Sequence, residues 1–280
     1  MIEIHDAKDP RIGVFLNQKD AWLKAAHNPE TDSRAQYAWA DGLFIAEGVL
    51  VVEQLIHSKF PLHSVLVSNN RARNIASVLG EVPQGTPIYC AAQPIIDEIV
   101  GFPMHRGVLG CGVRLPNPDP IELARGCRAL VVMEDLSNHD NVGSVFRSVA
   151  AMGGQGVGVW LSRRCCDPLY RKALRVSMGH VLRVPFAMID DVADGLDELA
   201  ELGFTSIALT PDARAMTIDE SLATRISKPA LLLGAEGGGL RDETLAKADQ
   251  RVRIEMTKDV DSLNIAVSAA VGIHRYISPA

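Results

Sequence analysis

Polar residues in three separated segments have the types and spacing of a site that holds a ligand with main-chain atoms and orients a reacting group. Glu236 lies in a loop with four glycines in six residues, at 234–239. Because glycine has no Cβ, this loop lets a ligand or another segment approach the backbone closely. Residues 262–264 place a serine and an asparagine before an apolar, alanine-rich run, and Asn141 lies six residues before Arg147. Amide and guanidinium groups could position a hydroxyl, bind phosphate and stabilise a developing oxyanion.

Each of these residues also has a structural interpretation. The serine of residues 262–264 can cap the helix that follows it, and the loop residues are suited to turns. Arg147 lies between mostly apolar neighbours and could pair with a carboxylate such as Asp135 or Asp140. Separate structural roles do not explain why all of these residues occur together, so both interpretations stay open at this point.

The hydrophobic pattern places the three segments next to strand ends. Residues 129–133 and 230–233 are short apolar runs without polar alternation, which favour strands buried on both faces. Residues 252–256 alternate, and residues 142–152 and 262–277 have the composition of apolar helices. Strands and helices alternate through this half, which predicts an α/β fold with a parallel sheet. The polar segments would then meet at the carboxyl edge of that sheet, where ligands gather.

The amino-terminal half predicts a smaller α/β layer domain. Apolar residues from Phe44 to Leu55 lie near helical spacing, which favours a helix, and shorter strands and helices alternate after it. The first residues of the chain hold charged and polar turns, in which we find no chemistry. Prolines near Pro120 indicate a linker, because proline lacks the backbone donor of a strand or helix. The expected divisions are an extension, a small domain, a linker and a second domain, at residues 1–40, 41–115, 116–126 and 127–280.

Composition and charge limit the function classes. The 280 residues, 47% of them apolar, can form two domains with sizeable cores. The odd number of cysteines, five, argues against a disulfide framework, and the absence of a C-x-x-C pair gives no indication of a zinc site. The sequence has no apolar run long enough to predict a membrane segment. We therefore expect a cytoplasmic protein without metal or membrane anchor. The net charge of −6 is unusual for a protein that binds nucleic acid, but residues 160–184 hold six basic side chains against one acidic one.

The motifs of the carboxyl-terminal half resemble those of the SpoU family of RNA ribose 2′-O-methyltransferases, within the SPOUT superfamily. A Gly-x-Glu-Gly-x-Gly-Leu motif is matched at residues 234–240, and a Ser-Leu-Asn motif at residues 262–264. An Asn-x-Gly-x-x-x-Arg motif is matched by Asn141, Gly143 and Arg147. Three motifs in the family's order are more specific than any one of them.

Further phrases extend the resemblance over most of the chain. Residues 175–179 match an Arg-x-Ser-x-Gly phrase of the family. Residues 44–48 and 105–110 resemble phrases of the ribosomal-protein-like substrate-binding domain that precedes many SpoU enzymes. One departure is Glu255, which stands where the family often has proline, so that the rigidity of proline is lost and a carboxylate is added near the cofactor.

The resemblance implies S-adenosylmethionine as cofactor, RNA as partner, a trefoil knot and a homodimer formed through the second domain, whose helix at residues 265–277 we expect to be apolar all round. It implies that Arg147 engages the substrate phosphate and helps to remove the hydroxyl proton. Because a guanidinium is a very poor base, we assign Arg147 phosphate binding and stabilisation of the developing alkoxide. The other implied catalytic residues are Asn141, Glu236, Ser262 and Asn264. The main chain around Gly234, Ile254, Met256 and Leu263 is implied to hold the cofactor. The candidates for RNA contact are Glu47, Arg106, Arg171, Lys172 and Arg175.

Two other functions stay open. The first is a non-catalytic RNA-binding relative of the same fold, which cofactor binding would distinguish. The second is a dinucleotide-dependent oxidoreductase, although Gly110 and Gly112 are followed by Leu115 where the G-x-G-x-x-G motif needs its third glycine. The methylated RNA, transfer or ribosomal, and the group that accepts the hydroxyl proton also stay open.

Overall fold

The computed structural model describes residues 1–17, 19–24, 42–101, 103–104, 107–257, 260 and 262–278. The chain divides into two compact units, one of Met1–Pro116 with Leu169–Arg183, the other of Asn117–Pro168 with Val184–Ala280. Up to residue 116 the strands and helices are β1 (Ile2–Ile4), α1 (Asp20–Leu23), β2 (Leu43–Glu47), α2 (Val49–Ile56), β3 (Leu62–Ser68), α3 (Asn69–Asn74), α4 (Ala76–Gly80), β4 (Ile88–Ala91), α5 (Gln93–Val100) and β5 (Val108–Val113).

The elements after residue 116 alternate between helix and strand. They are α6 (Pro120–Arg125), β6 (Ala129–Met133), α7 (His139–Ser148), β7 (Val157–Ser162), α8 (Arg171–Val176), β8 (Phe186–Ile189), α9 (Val192–Glu201), β9 (Thr205–Leu209), β10 (Met216–Thr217), α10 (Ile218–Leu222), β11 (Pro229–Leu233), α11 (Asp242–Lys247), β12 (Gln250–Arg253) and α12 (Ile265–Tyr276). Within the described ranges, no helix has the length and apolar character needed to cross a membrane.

The sheet of the first unit is mixed. Its strand order is β1-β4-β3-β5-β2, with β5 antiparallel to both neighbours and the other pairs parallel. Its core includes Leu66, Ile99 and Leu109, which are almost completely buried. Because β1 pairs with β4, the start of the chain belongs to this sheet, which differs from the extension expected at residues 1–40. A strand of three residues is too short to leave a readable pattern.

The helix expected from Phe44 is wrong for its first residues. Leu43–Glu47 forms strand β2, and α2 begins only at Val49. Between them Gly48 adopts a φ of 93°, which glycine reaches without strain. The first four residues of β2 are buried, and spacing alone does not separate a buried strand from a helix in a continuous apolar run.

The segment Leu169–Arg183 folds with the first unit, whereas the expected boundaries place it in the second domain. Helix α8 packs against β2, and the Arg171 Nε atom lies 3.0 Å from Oδ1 of Asp20 in an ion pair. Gly179 is so close to α2 that a Cβ on it would lie 2.8 Å from the Gln54 side chain. These contacts join segments that are distant in sequence, and no local pattern encodes them.

The sheet of the second unit is parallel, which confirms the predicted α/β fold with a parallel sheet. Its strand order is β10-β12-β9-β11-β6-β7-β8, and every neighbouring pair is parallel. All residues of β6 and β11 are buried, as expected for strands covered on both faces. Met133 pairs with Leu233 at the ends of these two strands, so the loops that follow them leave the sheet side by side.

The expected linker at residues 116–126 contains helix α6. The Asp119 carboxylate accepts hydrogen bonds from the amides of Ile121 (2.8 Å) and Glu122 (3.0 Å), which caps the helix. Pro120 is the first helical residue, a position where proline loses no intrahelical bond and its fixed φ suits the helix. The proline-rich segment therefore contains the start of a helix and is not only a linker.

Helix α12 is not apolar all round. It buries Ala269, Gly272 and Ile273 and packs against β11 and α7. Val267 remains 50% exposed, and the last turn carries exposed His274 and Arg275. One face of α12 is thus used inside the protomer, and the opposite face is exposed.

Candidate active site

The glycine-rich loop after β11 forms one wall of the site. The amide of Ala235 donates to the Gly239 carbonyl (3.0 Å), and the Gly239 amide donates to the Ala235 carbonyl (2.9 Å), so the loop closes on itself. Gly237 and Gly239 have φ values of 84° and 70°, which favour glycine. A Cβ on Gly234 would lie 2.1 Å from main-chain atoms of Gly239 and Leu240, so only glycine fits there.

Three predicted residues from three loops meet in one hydrogen-bonded chain. Asn141 lies in the first turn of α7, is 4% exposed, and donates from Nδ2 to the carboxylate of Glu236. Nδ2 of Asn264 donates to Oδ1 of Asn141 at 3.3 Å. The motif residues in the first turn of α7, after β11 and before α12 are therefore joined through Asn141.

Asn264 also caps α12, a role expected for Ser262. The Asn264 side-chain oxygen accepts a hydrogen bond from the Ala266 amide at 2.9 Å, and Ser262 lies two residues outside the cap. Asn264 therefore joins the start of α12 to Asn141 through its two side-chain atoms. This leaves the exposed Ser262 hydroxyl outside the helix cap.

A cavity of about 350 Å³ lies against the loop and the start of α12. Most of its lining comes from glycine main chain and from apolar side chains such as Ile254, Met256 and Leu263. Glu236, Ser262 and Asn264 add polar groups. The predicted cofactor residues Gly234, Ile254, Met256 and Leu263 all line it. A largely apolar cavity with a few converging polar groups is typical of a small-molecule site.

Sequence reasoning missed part of this lining. Leu209 ends strand β9, Thr210 and Pro211 follow it, and Ser268 lies one turn into α12. The sequence could have indicated the first three, because they lie at the carboxyl end of a predicted strand of the parallel sheet. Nothing in the local pattern singles out Ser268, whose place in the lining follows from helix geometry.

Arg147 lies on the same helix as Asn141 but in a different environment. Its side chain is exposed, and in the described ranges it forms no hydrogen bond or ion pair. It is not among the described residues that line the cavity. Asp135, one of the expected alternative partners, accepts hydrogen bonds from Arg164 and Ser162 instead.

The candidates for RNA contact belong to the first unit. Arg171 is partly buried and paired with Asp20, whereas Lys172 and Arg175 are exposed on α8. Glu47 ends β2 and is partly exposed. Arg106 lies outside the described residues. The structure thus places three of the basic candidates on one short helix.

The part of the chain that the structure describes contains no cluster of His, Cys, Asp and Glu side chains suited to a metal ion. The cysteines are present as thiols, and Cys165 is buried near Ser162. Burial raises the pKa of the Cys165 thiol, so this side chain stays protonated at neutral pH. We find no role for it in the cavity.

Comparisons with known proteins identify the family of this chain. The family model described as the SpoU rRNA Methylase family matches residues 128–274. An uncharacterised tRNA/rRNA methyltransferase of Mycobacterium tuberculosis is 36% identical over 273 residues, which cover 97% of this chain and 90% of that protein. The 23S rRNA (guanosine-2′-O-)-methyltransferase RlmB of Nitrosomonas europaea is 31% identical over 207 residues, covering 72% of this chain and 77% of that protein.

The structural similarity extends over both units. The AdoMet-bound rRNA methyltransferase of Sinorhizobium meliloti has a TM-score of 0.75 and 20% sequence identity, with coverage of 98% of this chain and 96% of that chain. This likeness concerns the fold. The family model covers the three motifs that meet at Asn141, and the relative from Mycobacterium tuberculosis covers nearly the whole chain. The chain therefore belongs to the SpoU rRNA Methylase family of RNA methyltransferases.

Proposed function

We propose that this protein transfers a methyl group from S-adenosylmethionine to a ribose 2′-hydroxyl of a ribosomal or transfer RNA. The observation that carries the proposal is the hydrogen-bonded chain of Glu236, Asn141 and Asn264 beside the cavity. The 2′-hydroxyl target is supported by the relative from Nitrosomonas europaea, which is named for 2′-O methylation of guanosine in 23S rRNA. Because the proposed substrates are ribosomal or transfer RNA, we also propose that the protein acts in the cytoplasm.

The cavity fits the proposed cofactor. Glycine main chain at Gly234 and Gly237 offers amides and carbonyls that can bind the edge of an adenine ring, while Ile254 and Met256 can contact its faces. The missing side chains of the loop allow close approach of a ligand. When bound, S-adenosylmethionine supplies a methyl group on a sulfonium, which is activated for transfer to a nucleophile.

The protein's own groups orient and stabilise the acceptor in this proposal. Asn141 donates to Glu236 and accepts from Asn264. These bonds fix the orientation of both side-chain amides, and with it the direction of their other hydrogen-bonding positions. Ser262, exposed at the cavity, can donate a hydrogen bond to the RNA phosphate. Arg147 binds the substrate phosphate and stabilises the developing alkoxide, and its guanidinium does not act as base because it stays protonated.

The exposed basic residues of α8 support an RNA surface on the first unit. Lys172 and Arg175 are exposed, and phosphate contacts supply most of the sequence-independent affinity of a nucleic-acid-binding protein. Glu47 and Arg106 are proposed to contribute from the same unit, which we propose to be the substrate-binding domain. Arg171 stabilises the segment through Asp20 and has less freedom to reach RNA.

Two further properties belong to this proposal. A homodimer through α12 is supported by the exposed side chains of Leu263 (37%) and Val267 (50%), next to the face that packs in the protomer. A trefoil knot in the second unit is proposed from the resemblance of its motifs to those of the SpoU family. Sedimentation at micromolar concentration tests the dimer, and a monomer would contradict it.

The function is tested with RNA from a strain that lacks this protein and S-adenosylmethionine labelled on its methyl group. A 2′-O-methyl group prevents alkaline cleavage of the following phosphodiester, so we expect the label in alkali-resistant dinucleotides. Label in mononucleotides would show base methylation and contradict the proposal. A protein that binds RNA but neither binds S-adenosylmethionine nor transfers label would be a non-catalytic relative.

A further inference from the structure

Glu134 holds both ends of the glycine-rich loop although it lies on a neighbouring strand end. It follows β6 directly, and its side chain is completely buried. Its amide donates to the carbonyl of Leu233, the last residue before the loop, at 2.8 Å. Its carboxylate accepts from the amide of Arg241, which follows the loop, at 2.8 Å. The entry and the exit of the loop are therefore bound to one residue.

The buried charge of Glu134 is compensated by groups next to the loop. The Arg241 Nε atom donates to Oε1 of Glu134 at 2.9 Å, and the Thr244 hydroxyl donates to the same oxygen at 2.7 Å. The Arg241 guanidinium also reaches Oδ2 of Asp191 at 2.9 Å. A completely buried carboxylate is costly unless it is paired and hydrogen-bonded, so the loop exit has one strongly favoured position.

The loop position determines where Glu236 lies. Residues 234–240 close on themselves through Ala235 and Gly239, so the loop moves as one piece with its two ends. Glu236 at its tip accepts the hydrogen bond from Asn141, and loop main chain lines the cavity. A displacement of the exit would shift both the main chain at the cavity and the Glu236 carboxylate.

We infer that Glu134 is a positioning residue for the proposed cofactor, which holds the glycine-rich loop in its binding geometry from outside the cavity. This inference rests on the proposed function, because it concerns the ligand of that cavity. Glu134 contacts neither the cavity nor the acceptor hydroxyl in this role, and it acts through the main chain of Arg241.

The test compares E134Q with T244V in the full chain. In E134Q one carboxylate oxygen becomes an NH₂ donor, so the side chain can no longer accept from both the Arg241 amide and the Arg241 Nε atom, which loosens the loop exit. T244V removes one hydrogen bond to the same carboxylate and leaves the Arg241 amide bound. We expect E134Q to weaken binding of S-adenosylmethionine by about tenfold or more, since small misplacements of a site have large effects. T244V lowers the melting temperature but keeps the dissociation constant within about twofold.

A second variant decides the question if E134Q does not fold. R241Q removes the three side-chain ion pairs of a partly exposed residue. The Arg241 amide and the Thr244 hydroxyl still donate to Glu134, so we expect a folded protein with affinity lowered about threefold to tenfold. In both variants the KM for RNA should rise less than the dissociation constant of S-adenosylmethionine, because the side chains of Arg147 and of α8 are unchanged.

The outcomes separate this inference from the proposed function. If wild type does not bind S-adenosylmethionine, the proposed function and this inference both fail. If wild type binds and the folded variants E134Q and R241Q bind equally well, only the role of Glu134 is overturned. Equal weakening in T244V would also overturn it, because the effect would then follow general stability and not the loop.

Discussion

The glycine-rich loop and the exposed arginine of α7 belong to the same unit but have opposite environments. The loop is held at its ends by Glu134 and at its tip by Asn141. Arg147 is exposed and unpaired among the described residues. Under the proposed function, this difference predicts a cofactor side held by hydrogen bonds within the protein and an acceptor side that becomes complete only when RNA supplies its phosphate.

This contrast has a physical reason. Hydrogen bonds inside a buried network fix a cavity for a small ligand and lower the entropy that binding costs. A guanidinium held in advance by a carboxylate would have to lose that partner before it could bind phosphate. An unpaired, solvated arginine avoids this competition. The predictions below change one side at a time.

The largest effect is expected when the acceptor side is removed. R147A should lower kcat at least about 100-fold, because the variant has no cation to stabilise the reacting oxygen. The dissociation constant for S-adenosylmethionine should stay within about threefold, since Arg147 does not line the cavity. Labelled methyl transfer and calorimetry measure the two quantities. R125A, which removes an exposed arginine of α6, is the control and should keep the activity of wild type. If R147A also keeps that activity, Arg147 has no part in the mechanism.

Loosening the cofactor side should affect binding as well as turnover. N141A leaves the Glu236 carboxylate without its buried donor, so we expect the free energy of unfolding to fall by about 1–3 kcal/mol and cofactor affinity by about tenfold. N138A is a matched control, because Asn138 caps the same helix through the Asp140 amide at 2.9 Å and makes no contact with Glu236. The loss of a cap costs about 1 kcal/mol. If both variants bind S-adenosylmethionine equally, Asn141 does not organise the cavity.

A smaller effect is expected on the first unit. The double variant K172A/R175A should raise the KM for RNA several-fold and reduce the slope of log affinity against log salt by about 0.7 for each phosphate group that the variant no longer binds. R171A instead breaks the ion pair with Asp20 and should lower stability by about 1 kcal/mol with little change in that slope. Filter binding over a range of salt concentrations distinguishes the two. Equal slopes for wild type and the double variant would exclude α8 from the RNA surface.

The smallest effect is expected on the pH dependence of the unfolding free energy, through Asp191, which pairs with Arg241. The hydrogen bond from Arg241 holds the pKa of Asp191 below its ordinary value of 3.8. A carboxyl whose pKa is lowered in the folded state adds stability above its unfolded pKa, and this stability is lost as pH falls through the folded pKa. D191N keeps the cap of α9 but loses the charge, so wild type should exceed D191N in unfolding free energy at neutral pH. Chemical denaturation should show that the difference in unfolding free energy between wild type and D191N shrinks below about pH 4. A difference that does not change with pH would contradict a stabilising ion pair between Asp191 and Arg241.

The sequence was most informative where chemistry and local structure coincide. Glu236, Asn141 and Asn264 each lie next to a strand end or helix start, and the parallel sheet brings these points to one edge. Strand β2 was mistaken for helix, because a buried apolar run carries no period. Neither the place of Leu169–Arg183 in the first unit nor the role of Glu134 follows from a local pattern. Both depend on contacts between residues far apart in the chain.

Calorimetric titration of the RNA-free protein with S-adenosylmethionine tests the central claim most directly. If the cofactor side is formed in advance, wild type and R147A should both bind one molecule per chain with similar affinity in the absence of RNA. Binding that occurs only after RNA is added, or that disappears in R147A, would show that the two sides form together and would contradict the account.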